Sequence, residues 1–437
     1  MTKKFMNVIN KYFSIIIISI EFLWKFLSRF IKNKIILTTI AFFIFLKLLS
    51  SFMSLDFINR ILELQIDLSD IEYTDLSYKL LDYKKKIDTN IILVDIGYLN
   101  RRGIAKLVYQ INKFKPKVIG INAFFRNPKD SNDVILKTVF DNTKNLVLVS
   151  GLDETISVTN DTTYKFSYSH EMFMENATSG IGRQVFSRDK CVRSLYPEYK
   201  INNKREPSFA IEILRLWDTK KLKKYLNKGS GEIMISFSGN LKDFHFFPGL
   251  ELLNNPDSLF VFRNKIVLLG FLGNITNRDY VDPDIMEDVF YTPLSESLKD
   301  RIVGRALPDM YGTVVHANII NMVLNNNYIY NITGLSAIII EIVFSYLLFF
   351  IFYQIFFKKN HYYDLLSKLI SFSLIIIFAY LIIYLFAKHH VRIDITGILL
   401  VLVFAPDFYE IYNNNISVWI RKFVNLILPN KYKLNKG

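Results

Sequence analysis

The chain has 437 residues, 51% of them hydrophobic and 22% charged, with a formal net charge of +14. A single cysteine, Cys191, excludes an intramolecular disulfide, and no Cys/His cluster offers a metal site. The basic excess is not a nucleic-acid footprint either. Residues 1–53 carry +7 and 334–437 carry +5, whereas 54–333 carry only +2, so the middle of the chain presents no basic face to phosphates.

In chain order, Tyr12–Ile31 is apolar but interrupted by Glu21, Lys25 and Arg29, and reads as a cytoplasmic interfacial helix. No small-residue cleavage site follows it, which argues against a signal peptide. Ile35–Met53 is the first membrane span, with Lys47 inside it. A span needs roughly 20 mostly apolar residues to cross about 30 Å of hydrocarbon. Lys25, Arg29, Lys32 and Lys34 precede it, and short basic flanks stay in the cytoplasm. The N-terminus is therefore expected inside and residues 54–333 outside.

Within that block, Ile58–Tyr83 reads as a connector. Residues 90–96 are a short β-branched apolar run, the pattern of a strand buried on both faces. Gly103–Phe114 follows, with Ile104, Leu107, Val108 and Ile111 on one helical stripe, and Pro116 ends it. A second strand at 117–122, a helix at Val134–Phe140 and a strand at 145–150 complete a strand–helix–strand series, which implies a parallel sheet. Further on, Asp189–Tyr196 reads as part of a hairpin, Ser208–Trp217 as a helix with Pro207 in its first turn, and Glu232–Phe237 and Lys265–Gly270 as strands. Gly312–Leu324 is a helix with Val315, Ile319, Ile320 and Val323 on one face.

The spans Ile338–Phe357, Leu369–Ala387 and Ile395–Phe408 close the chain, the last one marginal because Pro406, Asp407 and Glu410 intrude. Lys358 and Lys359 then fall inside, the Lys388–Asp394 turn outside, and Arg421, Lys422, Lys431, Lys433 and Lys436 inside. The expected architecture is an α/β extracytoplasmic domain with a largely parallel sheet, plus a membrane region of about four transmembrane helices. Its segments are a basic cytoplasmic stretch 1–34, a span 35–53, the external domain 54–333, three spans in 334–412 and a cytoplasmic tail 413–437. Asn-x-Ser/Thr triplets at Asn160, Asn176, Asn274 and Asn331 are read as chance, since the Lys, Asn, Ile and Phe bias suggests an AT-rich bacterial genome.

Several landmarks occur in one order. They are the strand with Asp95, the strand reaching Asn122, Asp189 with Val192-Arg193, and Pro207 through Ala210. The strand 265–270, Asp279, Thr292-Pro293, and the Gly-x-x-x-His-Ala stretch from Gly312 to Ala317 follow. This order resembles the CHASE family (cyclase/histidine-kinase-associated sensory extracellular domains), second type, over roughly residues 55–330. The resemblance implies a sensory domain preceded by one span and followed by three. It also implies that His316 faces the sheet. Two departures stand out. Asn122 replaces the Asp that commonly ends the second strand, and residues 413–437 are too few to fold as the cytoplasmic enzyme domain of such receptors.

Candidate ligand-binding residues are Asp95, Asn122, Arg126, Arg193, Asp279 and His316. Asp95 and Asn122 end what the pattern takes to be neighbouring parallel strands, where open α/β sheets place ligand crevices; they read equally as turn or cap residues. Arg101, Arg102 and Arg126 share that edge and suit an anion, or are solvated loop charges. Arg193 suits either a ligand or Asp189. His316 reads as a packed histidine or as a pH or ligand contact. Asp279, Asp282 and Asp284 open like a calcium loop but lack its Gly and closing Glu. Gly270 to Gly273 lacks the Lys-Ser/Thr of a phosphate loop. Lys47 and Glu341 lie within spans and suit a mutual pair or separate routes to the interface. No nucleophile–base–orienter pattern appears, and no catalytic residue or cofactor is expected.

The expected function is a membrane-anchored sensor of the bacterial plasma membrane, with both termini cytoplasmic. It would bind a small ligand or a periplasmic protein and signal through its helices to a separate cytoplasmic output protein. The alternative is a structural or assembly subunit of an envelope complex that uses the domain for docking. The bilayer is the one partner the sequence names, nucleic acid is excluded, and homo-oligomerisation is left open. A transporter fits poorly, because no repeat and few intramembrane polar groups mark a substrate path.

Overall fold

The structure, a computed structural model, describes residues 33–53, 73–80, 86–156, 162–187, 190–227, 231–255, 260–273, 288–294, 308–332, 334–358, 360–394, 396–420 and 422. The interfacial helix expected at Tyr12–Ile31, most of the connector, Asp189, Asp279, Asp282, Asp284 and the tail beyond 422 lie outside the described residues. The chain divides into two units: Leu68–Tyr330 with Phe386–His390, and the remainder.

The first unit is built on one sheet. Its strands are β1 (Ile91–Asp95), β2 (Val118–Asn122), β3 (Leu146–Ile156), β4 (Thr162–Ser167), β5 (Ala177–Ile181), β6 (His245–Pro248) and β7 (Ile266–Gly270). The order is β6-β1-β7-β2-β3-β4, with β5 also on β3. All pairings are parallel except β3 with β4. The long β3 serves both: Leu146 to Ser150 pair with β5, and Gly151 to Ile156 turn to β4.

Successive strand side chains point to opposite faces, and here both faces are apolar. Ile91, Leu93, Val118, Val147, Ile266 and Leu268 enter one core, while Ile92, Val94, Ile119, Leu148, Val267 and Leu269 enter the other. That is why these strands read as unbroken apolar runs. The second core is closed by α1 (Arg101–Lys113) and α2 (Asn132–Asp141). α1 starts where the Asn100 side chain accepts from the Gly103 N–H at 2.9 Å, and ends before Lys115, which sits at φ +54°. The first core is closed by α3 (Phe209–Trp217), α4 (Thr219–Leu226) and α5 (Gly312–Leu324). Pro207 ends a strand rather than opening α3, whose N-cap position is Ser208.

α5 departs from the expected one-sided stripe. All thirteen of its residues are buried. Its polar members are absorbed by hydrogen bonds: Asn318 Oδ1 accepts from the Ser238 and Gly239 N–H groups, and Asn321 Oδ1 accepts from the Asp88 N–H at 2.8 Å. The hairpin expected around Arg193 is present, with Val192–Leu195 antiparallel to Val185–Phe186 and to Ile233–Met234.

In the other unit, three helices are long and apolar enough to cross a membrane: Lys34–Met53, Leu335–Lys358 and Tyr363–His389. The fourth expected span is the 16-residue helix Thr396–Ile411, with Pro406 inside it, followed by a π-helical turn at Tyr412–Ile416. It falls short of those three in length, so the count of four is not reached on this measure. An aromatic core joins the helices: the Phe42 ring meets Phe349 at 5.3 Å and Phe408 at 5.1 Å, and Tyr363 Oη donates to the Pro406 carbonyl at 2.9 Å. Lys47 and Glu341 do not pair with each other among the described residues. Lys47 lines a shallow groove with Thr39, Phe43 and Ile342, and the Glu341 carboxylate packs against Gly397.

Candidate functional site

The register puts Asp95 opposite Gly270 and Gly270 opposite Asn122, so the three form a rank at the carboxyl ends of β1, β7 and β2. Asp95 and Asn122 are therefore not on neighbouring strands. β7 enters late in the chain and slides between them, setting them about two strand spacings, roughly 10 Å, apart. A strand that starts 175 positions after β1, at Ile266 against Ile91, leaves no mark on the local β-α-β pattern.

Each member of the rank has a distinct job. Asp95 Oδ1 accepts from the Gly97 N–H at 2.9 Å and from the Leu272 N–H at 2.8 Å, tying the exit of β1 to the exit of β7. That is the turn-residue reading. Gly270 leaves room for α5: a Cβ there would overlap the Thr313 hydroxyl. Asn122 Nδ2 donates to Thr313 Oγ1 at 3.0 Å and to Asp288 Oδ2 at 3.3 Å. It thus ties the sheet edge to the first turn of α5. Burial pushes the Asp288 carboxyl up to about 7.

His316 lies one turn further along α5, buried, with its ring edge-on to Phe209 at 5.1 Å. A Cβ on Gly182 would stand 3.7 Å from Asn122 Oδ1 and 3.8 Å from His316 Nε2, so both side chains converge on that glycine. The Gln184 amide nitrogen lies 3.4 Å from His316 Nε2. The ring also faces the Gly182 carbonyl, and its Nδ1 is buried with no hydrogen-bond partner among the described residues. Burial lowers the imidazole to about 4. Near neutral pH the histidine is therefore uncharged, and burial draws the Asp288 carboxyl on the other side of Asn122 toward its neutral form.

The other candidates lie elsewhere. Arg126 is exposed at the β4 edge, stacked on Phe124 at 4.7 Å and bonded to Asp153 at 3.3 Å and Ser167 at 3.4 Å. Arg101 is consumed by Asp133 and by the Asn127 carbonyl. Although burial alone would raise Asp133, the Lys129 N–H and Arg101 hold its carboxyl below the usual range. Of the basic edge expected from Arg101, Arg102 and Arg126, Arg101 and Arg126 thus each pair with an aspartate, and Arg102 is exposed on α1. Arg193 is buried and clamps Asp75, with Nη2 to Oδ2 at 2.6 Å and Nε to Oδ1 at 3.2 Å. Asp279 lies outside the described residues. Among the described residues no group of three or more His, Cys, Asp or Glu could hold a metal ion.

Thr313, Asp288, Gln184 and Gly182 were not singled out in the sequence. Thr313 carried a signal, as a hydroxyl directly after the helix-opening Gly312; the other three are joined to the cluster only through long-range contacts. The arrangement has no activated nucleophile. It is a hydrogen-bonded, desolvated junction between a parallel sheet and a buried helix.

The sheet is covered by helices on both faces, and the chain carries apolar helices before and after it. The chain belongs to the CHASE2 domain family, whose model matches residues 35–351. CHASE2 is a family of sensory extracellular domains, not a catalytic one. Comparison with curated proteins and with solved structures found no match.

Proposed function

We propose that this protein is a sensor of the bacterial plasma membrane whose globular unit lies outside the cytoplasm. It binds a small molecule or an envelope protein and signals through its membrane helices to a separate output protein. One observation carries the reading: α5 is buried on every side, is hydrogen-bonded at its start to the sheet edge through Thr313 and Asn122, and precedes the apolar helix Leu335–Lys358 in the chain. A change in the sheet-edge cluster is felt by α5 directly. A ligand shifts such an element only by its differential affinity for two arrangements.

The proposed orientation, with both termini inside, rests on the flanking charges and on one contact. Lys34 Nζ lies 5.2 Å from the centre of the Phe357 ring, so the start of the first apolar helix and the end of the second share one side.

The test uses full-length protein in nanodiscs and hydrogen exchange of the Gly312–Leu324 segment, with and without fractionated small molecules from the envelope. The reading expects at least one fraction to change exchange there. An unchanged segment, together with a stoichiometric envelope protein that co-purifies from membranes, would instead establish the docking-subunit alternative.

A further inference from the structure

Gln184 touches His316 on one side and forms the floor of an open cleft of about 530 Å³ on the other. A cleft of this size falls within the range of roughly 300–1,000 Å³ that holds small molecules. Its walls are aromatic: Tyr164, Phe186, Tyr196 and Tyr199. Three of these expose 39–52% of their surface, although soluble domains bury most such rings. Tyr199 is anchored instead, its hydroxyl donating to the Arg183 carbonyl at 3.1 Å, and burial pushes it up to about 12.

Two cations stand among the rings. The Arg183 guanidinium lies over Tyr164 at 5.7 Å and only 3.8 Å from Glu154, whereas Lys200 makes no ion pair among the described residues. Glu198 also lines this cleft, but its carboxylate pairs with Arg205 at 3.5 Å. In the neighbouring cleft of about 580 Å³, which shares Glu198, the lining cation Arg215 is taken by Glu212.

We propose that the aromatic cleft over Gln184 is the sensor's ligand port, and that it takes a small molecule with a ring face and one carboxylate. The ring stacks among Tyr164, Phe186 and Tyr196, and the carboxylate is held by Lys200 and Arg183. Aromatic faces accept flat rings and the C–H faces of sugars alike, and the cations select the charge. Occupancy is read through the Gln184 amide at His316, and so on α5. The inference rests on the sensor reading and places its entrance on the hairpin side of the sheet, away from Asp95.

The test is binding to the full-length protein in nanodiscs, with glucuronate and phenylacetate as ring acids, and glucose and phenylacetamide as their uncharged counterparts. Saturable binding of one ring acid, at least about tenfold tighter than its neutral counterpart, is expected; which acid binds tells a saccharide port from an aromatic one. Lys200→Gln and Tyr196→Ala alter exposed side chains. Each is expected to weaken that binding about tenfold or more, while Lys106→Gln on exposed α1 surface leaves it unchanged. Failure of both acids to bind, or binding indifferent to Lys200→Gln and Tyr196→Ala, overturns the port. If envelope fractions still change α5 exchange in those two variants as in the wild type, the sensor reading survives and the port alone is wrong.

Discussion

Arg193 and Asp75 form a two-pronged ion pair in the interior of the globular unit, with side-chain exposures of 4% and 11%. It binds the short helix Tyr73–Leu80, which follows the first apolar helix in the chain, to the hairpin strand Val192–Leu195. Removing one partner of a buried pair strands the other charge and typically costs about 3–5 kcal/mol, whereas exchanging both for apolar groups is often neutral. Arg193→Met alone is therefore expected to lower the unfolding free energy by that amount, and Arg193→Met with Asp75→Leu to restore most of it. Urea unfolding of the full-length protein checks this. Equal losses in the single and double variants would show that the pair is not what holds the helix.

His316 and Asp288 respond to pH in opposite senses. The folded pKa of His316, about 4, lies below its unfolded value of 6.5, so its contribution is complete above about 6.5 and is lost as pH falls toward 4. The Asp288 carboxyl, raised from 3.8 to about 7, contributes fully below about 4 and loses that contribution as pH rises through 7. Each amounts to no more than about 3–5 kcal/mol over its window, and between pH 4 and 6.5 the two slopes nearly cancel. Asp288→Asn is expected to expose a stability that climbs with pH across that window, and His316→Gln one that falls. Unfolding midpoints measured in steps of pH, compared with the wild type, test the pair. Identical profiles for all three proteins would contradict the desolvation assigned to both groups.

Gly270 and Thr313 meet where β7 passes under α5. Gly270→Ala adds one methyl against the buried Thr313, and overpacking of this kind costs about 1–3 kcal/mol. Thr313→Ala costs less but releases Asn122 from one partner. In the double variant the clash is gone, so its loss is expected to be smaller than the sum of the single losses. A double-mutant cycle on thermal unfolding reads the coupling. Strict additivity would mean that the two residues do not touch.

Much of this was legible in the chain, for local reasons. The runs at 91–95, 118–122, 146–150 and 266–270 announce themselves because strands buried on both faces need no polar alternation, and Pro116 marks the end of α1. What escaped depends on contacts distant in sequence. Nothing near Ile266 says that it will insert between β1 and β2, so Asp95 and Asn122 look adjacent when they are not. Nothing near Arg193 names Asp75, 118 positions earlier, as its partner. His316 was visible through the Gly-x-x-x-His-Ala pattern, but the neighbours that define its setting, Gly182 and Gln184, arrive from the far side of the sheet. The apolar stripe on α5 misled for a simple reason: a helix buried all round still shows a stripe, and its Asn318 and Asn321 look solvent-facing until the loops that cover them are placed.

The account stands on the globular unit facing away from the cytoplasm, and cysteine labelling measures that directly. With Cys191 replaced by Ser, single cysteines at exposed Lys106 and Lys358 are treated with a membrane-impermeant maleimide in intact spheroplasts and again after lysis. Lys106→Cys is expected to react fully before lysis and Lys358→Cys only afterwards. The reverse order would place the sheet and its cluster in the cytoplasm and end the sensor account.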